Sequence, residues 1–101
     1  MNTTKINLSG VQETLLLPLW GRAFETKKEH PLLVDKEAVR IIDQIDYDFS
    51  KIEEQVNPLS RLSWVARSIY FDKKIEDYLQ SIPNGTVINI GCGLDTTYER
   101  V

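Results

Sequence analysis

The residues best suited to chemistry lie together near the carboxyl end: Gly91-Cys92-Gly93, followed by Asp95 and Thr96. They directly follow a β-branched, apolar run, Thr86-Val87-Ile88-Asn89-Ile90. A short run of this kind that stops at Gly-x-Gly is the pattern of a buried strand delivering a tight backbone turn to a ligand. Glycine has no Cβ, so the backbone there can take positive φ and let a ligand approach its amides. The usual ligand of such a turn is nucleotide-like, held at the carboxyl edge of a parallel sheet. Spacing removes two common versions. A dinucleotide fingerprint requires a third small residue three places on, where this chain has Thr96, and no Gly-Lys-[Ser/Thr] follows to form a phosphate loop.

Helices must position this turn. Ser9-x-x-Gln12 has capping-box spacing, and Leu16, Leu19, Trp20, Ala23 and Phe24 recur at helical intervals, which predicts a first helix to about Thr26 with a kink or restart at Pro18. His30-Pro31 is an extended link, because the residue before proline is pushed out of the helical region. Asp35 then caps a second helix whose apolar stripe is Ala38, Ile41, Ile42 and Ile45. Ser50-x-x-Glu53 is a capping box for a short helix ended by Asn57-Pro58, and Ser60 can cap a long helix to about Gln80. That helix carries two apolar stripes: Leu62, Val65, Ala66 and Ile69, and nearly opposite them Trp64, Phe71, Ile75 and Tyr78. It either bends near Ile69 or is covered on both faces. Pro83-Asn84-Gly85 is a turn into the strand. The organisation expected is a flexible amino terminus over 1–8, a helical region over 9–82, and a strand with its glycine turn over 83–101.

Composition limits the partners. A formal net charge of -3 on 101 residues argues against a nucleic-acid or anionic-membrane surface, because such binding uses clustered Lys and Arg. No apolar run approaches the roughly 20 residues of a membrane span, and there is no signal-peptide core. Cys92 is the single cysteine, so no internal disulfide forms and a cytoplasmic location is expected. No His or acid adjoins Cys92 to activate it, His30 reads as a solvated loop residue, and Tyr47, Tyr70, Tyr78 and Tyr98 read as aromatics at the edge of a core. No catalytic residue and no metal-ligand set is assigned.

With the turn and helices placed, residues 87–96 resemble the first cofactor motif of class I S-adenosylmethionine-dependent methyltransferases. Leu94-Asp95-Thr96 with Glu99-Arg100-Val101, Leu19-Trp20-Gly21-Arg22-Ala23, Pro31-Leu32-Leu33-Val34-Asp35, and Ala66-Arg67 before Phe71-Asp72 narrow this to the leucine carboxyl methyltransferase family, which includes polyketide O-methyltransferases. The resemblance implies a Rossmann-like α/β fold of which this chain carries a helical cap and the first strand, an incomplete sheet. It implies S-adenosylmethionine as cofactor, with Gly91, Cys92 and Gly93 near its methionine part and Arg67 holding its carboxylate. Arg67 falls beside Trp64 and Phe71, where a charge needs a partner; the alternative is a stem packed on those rings with its head in solvent or paired to an acid such as Asp43. Asp95 reads equally as site residue or helix cap. Arg22 reads as lining the cleft or, more simply, as a surface arginine near a helix end. Two positions depart from the pattern: Asn89 stands where many class I enzymes have an acid, and Thr97 where this family commonly has arginine.

The implied reaction moves a methyl group to a carboxylate or hydroxyl oxygen of a small molecule or a protein. The expected state is the amino-terminal part of such an enzyme, inactive by itself. The other hypothesis is a small helical interaction module in which 87–90 pairs with a partner's sheet edge or with a second copy.

Overall fold

The first helix, α1 (Leu16–Thr26), buries Leu16, Leu19, Trp20 and Ala23, the spacing that a one-sided helix requires. In this computed structural model, which describes Thr4–Lys5, residues 15–90 and residues 92–101, Pro18 sits in the first turn of α1. Amide groups there have no intrahelical acceptor, so the proline breaks no bond. The Ser9–Gln12 capping box lies outside the described residues. The second helix, α2 (Lys36–Gln44), is capped by Asp35 as expected, the carboxylate accepting the Ala38 amide at 3.0 Å. Ala38 is fully buried, and with Leu19 and Ala23 it forms a core against which Val39, Ile41, Ile42 and Leu94 pack. Small residues at 23 and 38 let α1 and α2 approach closely. Ile45–Asp46 (β2) follows α2 and pairs in parallel with Thr4–Lys5 (β1), two residues on each side.

Two helix starts differ from expectation. In α3 (Ser50–Gln55) the Ser50 side chain caps nothing; it donates instead to Asp48 Oδ1 at 2.6 Å, and the Ser50 amide donates to the same oxygen at 3.1 Å. The long helix α4 (Pro58–Ser81) begins two residues before Ser60. Asn57 caps it by accepting the Leu59 amide at 2.8 Å, and Pro58 fills the first position, where a missing N–H is harmless. The Asn57-Pro58 pair therefore closes one helix and opens the next. Of the two stripes on α4, Val65 is the residue that is fully buried, and α4 packs against α1. Leu62 and Ile69 of the Val65 stripe remain exposed, as do Phe71 and Tyr78 of the other, on which Trp64 and Ile75 are half-buried, so neither stripe is fully covered by described residues.

The expected strand is a correction. Residues 85–89 form no strand, and Ile88 and Ile90 are 78% and 91% exposed. A strand exists through its hydrogen-bonded neighbours, and none of the described segments pairs with this one. A four-residue helix, α5 (Thr97–Arg100), follows the turn. The described chain is thus mostly helical, and none of its helices is long and apolar enough to cross a membrane.

The α1–α4 crossing depends on Gly21. A Cβ built there would lie 3.0 Å from Trp64 Cε3 and 3.7 Å from Arg61 Cγ. Gly21→Val adds two further methyl groups at that contact and should lower stability by about 1–3 kcal/mol in chemical denaturation. An unchanged midpoint would mean that the helices do not touch here.

Candidate functional site

The glycine turn is held from below by one carboxylate. Asp35 sits where the extended link from Pro31 enters α2, and its side chain is completely buried. Its Oδ1 accepts the Ala38 amide, while Oδ2 accepts Arg22 Nε at 2.9 Å, Arg100 Nη1 at 3.1 Å and the Thr96 hydroxyl. The Asp35 amide donates to Thr26 Oγ1 at 2.8 Å, which donates in turn to the Arg22 carbonyl at 2.8 Å. Arg22 Nη2 reaches on to the Leu94 carbonyl at 3.2 Å. One acid thereby joins α1, the cap of α2, the segment after Gly93 and α5. Arg22 is buried rather than superficial, which corrects the simpler sequence reading. A guanidinium this deep requires acceptors, and Asp35 takes Nε–H while the Leu94 carbonyl takes one Nη2–H.

Burial alone would push the Asp35 carboxyl upward. The Thr96 hydroxyl, the Ala38 amide and the Arg22 and Arg100 guanidinium groups outweigh it and hold the pKa below the ordinary carboxylate range. Glu25, also buried, behaves similarly: desolvation is offset by the Leu32 amide at 3.0 Å and by Lys28 Nζ at 3.0 Å. It fixes the start of the link that carries Asp35.

The turn itself is closed by the Asp95 amide donating to the Cys92 carbonyl at 2.9 Å, with Gly93 at φ +53°. A Cβ at Gly93 would meet only Leu15 Cδ2 at 3.7 Å, so the constraint is backbone conformation and not space. Asp95 Oδ2 accepts both Asn89 Nδ2 and Thr97 Oγ1 at 2.6 Å, tying the two sides of the turn. Partial burial raises its pKa, but Thr97, Asn89 and the nearby arginines bring it below normal. Thr96, not Asp95, occupies the capping position of α5, and its hydroxyl is directed to Asp35. Cys92 is exposed, and Gly91 lies outside the described residues.

A cleft of ≈ 360 Å³ is lined by Arg22, Trp64, Arg67, Phe71, Asp95 and Arg100 among others, whereas Cys92 and Gly93 do not line it. The structure therefore brings Arg22, Arg67 and Asp95 to one cavity. Arg67 is exposed and makes no ion pair or hydrogen bond to any described residue; Asp43, its alternative partner, pairs with Lys27 at 3.3 Å. No metal-ligand cluster occurs among the described residues. Sequence reasoning missed the second role of Asp35 and gave Arg100 and Asp72 no role at the site, quoting them only within the family resemblance. The only local signal was the Thr96 and Arg100 spacing of one helical turn.

These features describe a glycine turn beneath a helical region, and over nearly its whole length the chain is similar to methyltransferases, in line with the motif resemblance. It is 35% identical over 96 residues to the tetracenomycin polyketide synthesis O-methyltransferase TcmP of Streptomyces glaucescens, covering 95% of this chain and 35% of that protein. It is 28% identical over 103 residues to the S-adenosyl-L-methionine-dependent methyltransferase dpfgK of Gibberella zeae, covering 96% of this chain and 35% of that protein. The chain spans about a third of the length of these curated relatives. No family profile matches it, and no solved structure matches it.

Asp35 gives a test with a definite sign. Its folded pKa is depressed, so its stabilisation is complete above the unfolded value of about 3.9 and is lost as pH falls through the lower folded value. Asp35→Asn should cost roughly 3–5 kcal/mol at neutral pH, because buried Arg22 loses its paired carboxylate and Arg100 keeps only its pairing with Asp72. The difference from wild type should shrink as pH drops below about 4. Parallel stability curves from pH 7 to 3 would contradict this account.

Proposed function

We propose that this chain forms the helical cap and first cofactor turn of a class I, S-adenosylmethionine-dependent O-methyltransferase. The observation that carries the reading is Arg67: an arginine without a protein counter-charge among the described residues, on the wall of a cleft that Asn89 and Asp95, either side of the glycine turn, also line. The cleft fits a ligand with a carboxylate and an apolar body, since Trp64, Phe71 and Ile75 line it beside that guanidinium. Arg67 would hold the cofactor's carboxylate by its planar fork, with the backbone of Gly91, Cys92 and Gly93 close to the methionine part. Bound cofactor supplies an activated methyl group on a sulfonium. Everything this chain contributes is placement: Arg67 fixes one end, the Gly93 backbone allows close approach, and Trp64 and Phe71 exclude water.

The acceptor in this reading is a carboxylate or hydroxyl oxygen of a small molecule, the class to which the tetracenomycin relative points. The acceptor site and the rest of the sheet would come from the portion of the relatives that this chain does not span. The 101-residue chain alone is accordingly expected to transfer no methyl group. A reducing, cytoplasmic setting suits the single exposed thiol, Cys92. The interaction-module alternative is less favoured, because both relatives are enzymes and align across almost all of the chain.

Calorimetric titration with S-adenosylhomocysteine tests the reading. Binding to the wild-type chain is expected, and Arg67→Ala should weaken it about tenfold or more, as loss of a charge-assisted bond does. Because Arg67 supports no described contact, its thermal midpoint should stay unchanged. Absence of binding by the wild-type chain at millimolar ligand, or unchanged affinity in the variant, would overturn the assignment. Incubation with methyl-labelled cofactor and candidate acceptors should leave no label transferred.

A further inference from the structure

Among the described residues, Arg100 is the cation that pairs with carboxylates from the most separate segments. Its side chain is only 6% exposed although it stands on a four-residue helix near the end of the sequence. Nε donates to Asp72 Oδ2 at 2.8 Å and Nη2 to Asp72 Oδ1 at 3.0 Å, a two-pronged pairing that fixes the plane of the guanidinium. The third nitrogen, Nη1, is then directed at Asp35 Oδ2 at 3.1 Å and at Thr96 Oγ1 at 2.6 Å. Nη2 also donates to Thr97 Oγ1 at 3.3 Å and lies 3.8 Å from Asp95 Oδ1. Three carboxylates from three segments, the α2 cap, the middle of α4 and the glycine turn, thus surround one planar cation.

From this arrangement we propose that Arg100 is a positioning residue that sets the glycine turn at a fixed distance from α4, the helix that carries Arg67. The proposal rests on the methyltransferase reading for its purpose, but its geometry is independent of any ligand. Asp72 lies five residues after Arg67 on the same helix, and it is the attachment point of Arg100 on α4. Asp95 and Thr97 are held on the turn side of the same guanidinium. The two walls of the cleft, Arg67 with Phe71 on one side and Asp95 on the other, are therefore connected through a single side chain. Only a guanidinium has donors in the plane and number for this. Lysine at 100 would keep the charge but could not hold Asp72 by two bonds while reaching Asp35.

Amide hydrogen exchange on the full 101-residue chain, read residue by residue by NMR, tests the proposal. Arg100→Gln and Asp72→Asn are each expected to speed exchange of the Asp95 amide, which is bonded to Cys92, by about tenfold, the effect of losing one charge-assisted bond. The double variant should add little to either single change, since both remove the same link. Ala23 and Val39, in α1 and α2, should keep their protection. Arg100→Lys should fail to restore the turn. The proposal is overturned if the Asp95 amide is unaffected in Asp72→Asn, if all amides accelerate together, or if the two single effects add. Titration of the wild-type chain with S-adenosylhomocysteine separately reports on the cofactor reading: lack of binding there, with the turn loosened in the variants, would remove the ligand and leave the positioning role.

Discussion

Everything near the cleft depends on the buried carboxylate of Asp35. Removing a carboxylate and a guanidinium from water costs several kcal/mol per ion, and an isolated pair often fails to repay that. Here the acid has two guanidinium partners, a hydroxyl and a backbone amide, so its two oxygens are fully engaged. The arginines in turn find second acceptors, Leu94 for Arg22 and Asp72 for Arg100. No buried side-chain polar atom among the described residues lacks a partner. A network satisfied this completely specifies geometry in a way that apolar packing cannot, because each bond demands a direction as well as a distance. Its result is that the cap of α2, one face of α1 and the segment after Gly93 share one point.

Local features of that arrangement were legible in the sequence. The end of α1 at Thr26, the Asp35 cap and the Ala38, Ile41 and Ile42 positions of the α2 stripe follow from periodicity and capping chemistry over a few residues, whereas Ile45, expected on that stripe, falls past the helix in β2. Ser60 and Ser50 misled because serine caps compete with better-placed neighbours. Asn57 precedes a proline that must sit at the first helical position, and Asp48 offers Ser50 a stronger acceptor than the start of α3 does. The turn conformation at Gly93 was legible too, since only its φ value needed to be inferred.

The site network was not legible, and sequence separation explains why. Thr96 lies 61 residues from Asp35, Arg100 lies 65 from it, and Leu94 lies 72 from Arg22. No periodic pattern connects positions so far apart, and an arginine on an amphipathic helix looks the same whether its head meets water or a buried acid. The strand at 87–90 shows the opposite failure. Its β-branched composition describes an environment rather than an intrinsic backbone preference, and without a paired neighbour the propensity has nothing to act on.

The three arginines of the cleft illustrate how one residue type divides its roles. Arg22 and Arg100 have side chains only 6% exposed, and their charges are already balanced by Asp35 and Asp72. A carboxylate entering the cleft would have to compete with those acids and break hydrogen bonds that hold the turn. Arg67 is exposed and has no acid among the described residues, so a ligand's carboxylate there displaces only water. The field of the two buried cations still favours an anion in the cavity, but the nearby Asp72 and Asp95 carboxylates offset it at short range. In the proposed reading, specificity would come from directed bonding at Arg67 and not from net positive charge. That suits a ligand whose negative group is a single carboxylate on an otherwise cationic or apolar body better than a polyphosphate, whose several charges would face the same two acids.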